Sequence, residues 1–226
     1  VQPGFLYEVG CGNGAFLAMQ RAAGWRVEGL ELSEQGVQSA RALGLKVAQA
    51  PLEEAPPPAE SPDMVVAWMV LEQLHEPVKA LQKLADVSHD DTWLVASVPN
   101  SAGYEMKAFG DAWYALQLPT HLYHYEPDTL RNVLAAGGWR MEKVFHLRNL
   151  NNMVSSAGYR LEDWGLSSLG RKLQTFPAWA KPKHQYALYP AATFLAAAGL
   201  TGRMTIWARR AEVNQRIPGL FGEALC

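Results

Sequence analysis

Cysteine is scarce: the 226-residue chain has two, Cys11 and Cys226. One falls in a glycine-rich stretch and the other ends the chain, so no disulfide framework is expected and a reducing cytoplasm is the expected setting. An excess of one charge is lacking too. Twenty Lys/Arg stand against 22 Asp/Glu, with a net charge of −2 and a pI near 6.3. Such a chain has no general attraction to nucleic acid, which is not expected among its partners. There is no uninterrupted apolar run of about 18 residues and no signal-peptide pattern. A metal-ligand cluster is also missing. His121 and His124 could share a metal only on a helix, but Pro119 and Pro127 crowd them and no third ligand stands out. His75 is followed at once by Glu76-Pro77 and reads as a loop end.

What is present is an ordered string near the start. Phe5, Leu6 and Tyr7 form an apolar run, Glu8-Val9-Gly10-Cys11-Gly12-Asn13-Gly14 follows, and Ala15 to Ala23 has helical spacing with Gly24 as a stop. This predicts a strand, a glycine-rich turn and a helix, whose N-terminal amides can face a ligand. A second strand-like run, Val27 to Leu30, ends at Glu31, seventeen residues past Gly14. A carboxylate there can accept both hydroxyls of a ribose, so the unit suits an adenosine-containing cofactor. The alternative is a tight turn that happens to be rich in glycine. Gly10, Gly12 and Ala15 also satisfy the loose dinucleotide pattern, so the glycines alone do not choose the cofactor. An acid two residues before Gly10 suits a cationic sulfonium and ammonium better than a pyrophosphate.

The string E-x-G-x-G-x-G resembles the first motif of the class I S-adenosylmethionine-dependent methyltransferases. The resemblance extends to Asp63 through Leu74 and to Pro119-Thr120-His121-Leu122-Tyr123-His124-Tyr125, as in a bacterial small-molecule subgroup that reads L-E-H after strand four and P-x-H-L after strand five. It spans roughly residues 4 to 147 and a final strand near 203 to 209. It implies an α/β fold with a Rossmann-like, seven-stranded, mostly parallel sheet, strand order 3-2-1-4-5-7-6, and an antiparallel last strand. It implies S-adenosyl-L-methionine as cofactor, on Gly10, Cys11, Gly12 and Gly14, with Glu8 near the methionine end, Glu31 and Leu32 at the ribose, and Ala67 and Trp68 along one side. Gln73 stands where the subgroup commonly has His, and Pro51 where an acid often accepts the adenine amine, so adenine is expected at the backbone near Leu52 or at Glu53. The family also carries a helix before the first strand, which is expected to precede Val1.

The rest alternates strand and helix. Met64 to Trp68 and Trp93 to Val98 read as strands buried on both faces. Ser33 reads as an N-cap, and Pro51 to Pro62 as a surface loop. Val78 to Ser88 and Pro127 to Ala136 read as helices, and Met141 to Leu147 as strand six. Three segments are expected: a cofactor-binding core over 1–147, a helical insertion over 148–200, and the last strand and tail over 201–226. The insertion carries six Lys/Arg against two acids, while residues 1–147 carry ten against eighteen. Rich also in Trp, Tyr and Phe, it can be a lid, a peripheral membrane element, a homodimer interface or a plain packed insertion.

Methyl transfer needs alignment and, for an oxygen or nitrogen nucleophile, a base. His121 is the expected general base, with Tyr123, His124 and Tyr125 lining the acceptor; the alternative is a buried histidine that fixes its loop. The expected function is methyl transfer to a small-molecule acceptor, lipid-linked or glycosyl among the classes considered. A binding protein that kept the fold without the reaction is the alternative, and a dinucleotide oxidoreductase a distant third.

Overall fold

Phe5–Val9 (β1) is buried at every position, as a strand flanked on both sides must be. It pairs in parallel with Arg26–Glu31 (β2) on one side and Met64–Trp68 (β4) on the other, Val9 facing Leu30 and Ala67. Val47–Gln49 (β3) pairs with β2, and Trp93–Pro99 (β5) with β4, again in parallel. With Trp139–His146 (β6) and Arg203–Arg210 (β7) the sheet has seven strands in the order β3-β2-β1-β4-β5-β7-β6. The last strand is antiparallel to its neighbours. Its end lies at the start of β5, where the Arg210 amide donates to Thr92, and its start lies at the end of β6, where the Leu147 amide donates to Arg203. The structure, a computed structural model, describes residues 2–211; Val1 and the tail from 212 to Cys226 lie outside the described residues.

The helices are Ala15–Ala22 (α1), Glu34–Ala42 (α2), Pro77–Asp86 (α3), Tyr104–Phe109 (α4), Pro127–Ala136 (α5), Asn151–Asp163 (α6), Ser167–Gln174 (α7), Phe176–Trp179 (α8) and Pro182–Ala197 (α9). Ser33 caps α2 by accepting the Gly36 amide, as its sequence position predicts. Residues 51–62 form neither helix nor strand. Strand β6 starts two residues before the expected Met141, because Trp139 is fully buried and its indole donates to the Leu81 carbonyl. α3 ends at Asp86 rather than Ser88, whose hydroxyl turns back to the Leu84 carbonyl.

The chain forms two compact units. One holds the residues up to 97, 128–143 and 206 onward; the other holds 98–127 and 144–205. The first is built on Leu6, Leu17, Val37, Val47, Met64, Val66 and Val95, with Phe16 edge-on to Trp68 beside them. The second contains the helical insertion ahead of β7. There α6 and α7 pack backbone to backbone at two glycines: a Cβ on Gly158 would lie 2.5 Å from the Gln174 nitrogen and 2.7 Å from the Gly170 oxygen.

Candidate functional site

The turn after β1 is made by three glycines in the left-handed region, Gly10 (φ 71°), Gly12 (φ 52°) and Gly14 (φ 77°). Their surroundings differ. A Cβ on Gly10 would strike Val70 at 2.7 Å, and one on Gly14 would strike Leu45 at 2.5 Å, whereas one on Gly12 meets nothing within 4 Å. Gly12 is thus the point at which bare backbone faces open space. The turn is held by the Gly10 and Cys11 amides, which both donate to the Leu30 carbonyl, and by the Gly14 amide, which donates to Cys11.

Glu31 ends β2 beside this turn. One of its oxygens accepts the Gly12 amide and the other the Ser33 amide, each at 2.8 Å. A carboxylate has about four lone-pair sites, so capacity remains for two further donors. A cavity of about 370 Å³ opens there, within the usual range for small-ligand sites. Val9, Gly10, Glu31 and Leu32 line it from β1 and β2; Pro51, Leu52 and Glu53 from the loop after β3; Trp68, Met69 and Val70 from the end of β4; and Gln73 and His75 from the loop beyond. It lies at the carboxyl ends of parallel strands, where open α/β sheets hold ligands.

Two lining features had no clear signal in the sequence. Met69 is left-handed (φ 57°) without being glycine, held by its amide on the Ser97 carbonyl and by the Gln73 side chain, which donates to the Met69 carbonyl at 2.7 Å. Gln73 thus has a structural partner where the resemblance leads one to expect histidine. His75 lines the cavity as well as ending the loop.

The remaining expected cofactor residues are not on the cavity wall, Gly12 and Gly14 among them, although Gly12 is tied to the lining residue Glu31. Ala67 is buried in β4 between Val9 and Ala96. Cys11 is buried under the turn: a Cβ on Gly29 would come within 2.7 Å of its sulfur, so β2 needs a glycine there. Burial, with Glu8 and Glu31 nearby, pushes the Cys11 thiol up to about 12, so it is no nucleophile. Glu8 is 2% exposed, and its Oε2 has no hydrogen-bond partner among the described residues. Burial, then the Glu31 charge, pushes its pKa up to about 8.

The expected acceptor-side residues belong to the other unit. His121 is 2% exposed, with Nδ1 at 2.8 Å from the Ala115 carbonyl oxygen. His124 Nε2 lies 3.0 Å from the Leu116 carbonyl oxygen, and its ring is 5.6 Å from that of Trp113. Both imidazoles therefore tie residues 121–124 to the turn at Tyr114–Leu116. Tyr125 is buried and stacks on the half-exposed Tyr123, ring centroids 5.9 Å apart. Among the described residues no group of three or more His, Cys, Asp or Glu side chains is placed to hold a metal ion.

Residues 2–144 match the methyltransferase domain family, and the chain belongs to that family. An S-adenosylmethionine-dependent methyltransferase from Mesorhizobium loti is 17% identical, with a TM-score of 0.59 and 92% of each chain covered. One from Archaeoglobus fulgidus is 19% identical, with a TM-score of 0.58 over 92% of this chain and 86% of that one. The magnesium protoporphyrin IX methyltransferase of Synechocystis, crystallised with S-adenosylhomocysteine, is 19% identical, with a TM-score of 0.50 over 63% of this chain and 67% of that one. At such identities the likeness is one of fold. No curated protein matches the chain in sequence. The protein is an S-adenosylmethionine-dependent methyltransferase, and S-adenosylmethionine is its cofactor. The residues fit that group: the open face at Gly12 admits it, Glu31 has spare acceptor capacity, and Glu8 offers an unpaired buried oxygen.

Glu8 makes stability depend on pH. Its folded pKa of about 8 lies above the ordinary 4.5, so the folded protein keeps a proton that the unfolded chain has already lost. That contribution is complete below about pH 4.5 and disappears as pH rises through about 8. Glu8→Gln should therefore gain on the wild type across this window, by on the order of 2–4 kcal/mol at its upper end. Melting temperatures of the two cofactor-free proteins against pH check this; parallel curves would remove Glu8 as the source.

Proposed function

We propose that this chain moves the methyl group of S-adenosylmethionine to a small-molecule acceptor, holding the cofactor in the cavity at the Gly10–Gly14 turn. The observation that carries the reading is the pairing of open backbone at Gly12 with the Glu31 carboxylate beside it. In this reading Glu31 takes the ribose hydroxyls on its two spare lone pairs, and Leu32 lies along the sugar. Leu52 and the backbone at Glu53 hold the adenine in place of a side-chain acid, since Pro51 can offer none. Trp68 and the strained Met69 form the opposite wall. Glu8, beneath the turn, favours the cationic methionine end once that charge draws off its proton. The bound cofactor supplies an electrophilic methyl carbon on a cationic sulfur; the protein supplies alignment and exclusion of water.

His121 is assigned here as a positioning residue rather than the general base. Its buried ring, with Nδ1 donating to Ala115, holds the segment on which Tyr123 and His124 sit. A small acceptor agrees with the lack of net positive charge, and a lipid-linked one with the apolar surface of the insertion. Presenting the enzyme with labelled S-adenosylmethionine and fractionated small molecules tests the class. Label appearing in neither the aqueous nor the organic phase, but only in protein or nucleic acid, would sink it.

Glu31→Ala removes two charge-assisted bonds to the ligand and two backbone ties, so a tenfold or greater rise in cofactor Kd is expected, at about 1.5–3 kcal/mol per charged bond before re-solvation. Gly12→Val should act more completely, since its side chain would enter the open space and φ 52° disfavours any branched residue. Calorimetry on the folded variants decides both; wild-type affinity in either would detach the turn from the cofactor.

His121→Asn keeps a donor near the Nδ1 position and should retain turnover within roughly tenfold, with an unaltered pH–rate profile. A loss of about a hundredfold or more, together with a pH–rate profile that changes shape in the variant, would instead make His121 the general base.

A further inference from the structure

The insertion contains a helix that faces water with Lys183, in its first turn, as its one Lys, Arg, Asp or Glu. In α9 the positions Tyr186, Pro190, Phe194 and Ala197 follow one another at three- and four-residue spacing, and all are exposed, Tyr186 at 77% and Phe194 at 74%. Lys183 begins the stripe, and no Lys, Arg, Asp or Glu occurs again until Arg203. A water-facing helical stripe ordinarily carries charged residues, and contiguous exposed apolar surface marks contact with something.

The second observation concerns sign. From Trp164 to Ala211 the chain has no Asp or Glu. Among the described residues no carboxylate pairs with Lys172, Lys181 or Lys183. Lys172 and Lys181 adjoin one aromatic cluster, with Lys183 next in the chain to its His184: the Lys172 ammonium is 5.8 Å from the Trp179 ring, and Trp179 lies edge-on to His184, whose imidazole accepts the Lys181 amide at the start of α9. An apolar stripe with aromatic rings and unpaired lysines at one end matches an interface between hydrocarbon and anionic headgroups. A symmetric contact with a second copy would bring no carboxylate to those lysines, since such contacts repeat the same patch. Among the described residues no helix is long and apolar enough to cross a membrane.

We propose that α9, with the lysines around Trp179, docks this protein on an anionic lipid surface, Tyr186 and Phe194 entering the headgroup boundary. The proposal stands apart from the identity of the methyl acceptor. Its test is co-sedimentation of the full chain with vesicles of phosphatidylglycerol in phosphatidylcholine, and with phosphatidylcholine alone. Binding to the anionic vesicles is expected at low salt and should fall steeply as the screening length contracts from about 30 Å to about 8 Å. Each Lys→Gln change at 172, 181 and 183 should lower the partition about fivefold. Phe194→Glu and Tyr186→Glu should abolish it, with S-adenosylmethionine affinity and circular dichroism unchanged. Failure of the wild type to sediment with anionic vesicles overturns the proposal, as does binding that survives both glutamate variants. A solution dimer that Phe194→Glu dissociates would assign the face to a second copy and overturn it equally.

Discussion

The Glu31 carboxylate accepts the Gly12 amide with one oxygen and the Ser33 amide with the other, both at 2.8 Å. Those two bonds connect the turn after β1 to the end of β2 and the cap of α2. Three left-handed glycines at alternate positions form an adaptable backbone, and without an external tie they would lose much entropy on ordering. Charge-assisted bonds to backbone amides are among the stronger ones available. The same carboxylate therefore shapes the cavity and faces it. This couples ligand affinity to turn geometry, and explains why loss of the acid should cost more than the bonds it makes to the ligand.

Beneath the turn the chain accepts an opposing cost. Glu8 is the penultimate residue of β1, paired with Gly29 and Val66, nearly inaccessible to water and repelled by Glu31. A buried acid without a partner destabilises a fold unless it stays protonated. Its pKa near 8 reflects that compromise. The cysteine beside it stays a thiol for the same reason, so the sulfur packs against Gly29 as a small apolar group rather than acting chemically. The polar groups that matter here are placed by the strands, whose burial on both faces leaves the side chains little freedom.

Much of this was legible in the sequence because it depends on local chemistry. The glycine spacing, the acid at the end of β2, the Ser33 cap and the proline-rich loop each follow from what a residue type can do at its own position. Less legible were features set by distant partners. Nothing local marks Met69 as left-handed; that conformation is imposed by Ser97 and Gln73. The start of β6 at Trp139 depends on a hydrogen bond to Leu81, 58 residues earlier. His121 showed its chemistry but not its surroundings: only the fold reveals that both it and His124 are tied to carbonyls of one short turn.

The insertion shows how differently neighbouring helices can use the same small residues. Between α6 and α7, Gly158 and Gly170 bring two backbones into contact, so the polar side chains of both helices can turn outward. In α9 the small residues are five alanines, of which only Ala192 is buried, and Tyr186, Tyr189 and Phe194 remain outside. If α9 served only to complete a core, Phe194 and Tyr186 would be expected beneath it, and charges such as those of α6 above it. The reverse distribution carries a hydration cost that packing within the chain does not offset. A partner that removes those rings from water would offset it, and an anionic surface would also stabilise lysines that no carboxylate in this stretch neutralises.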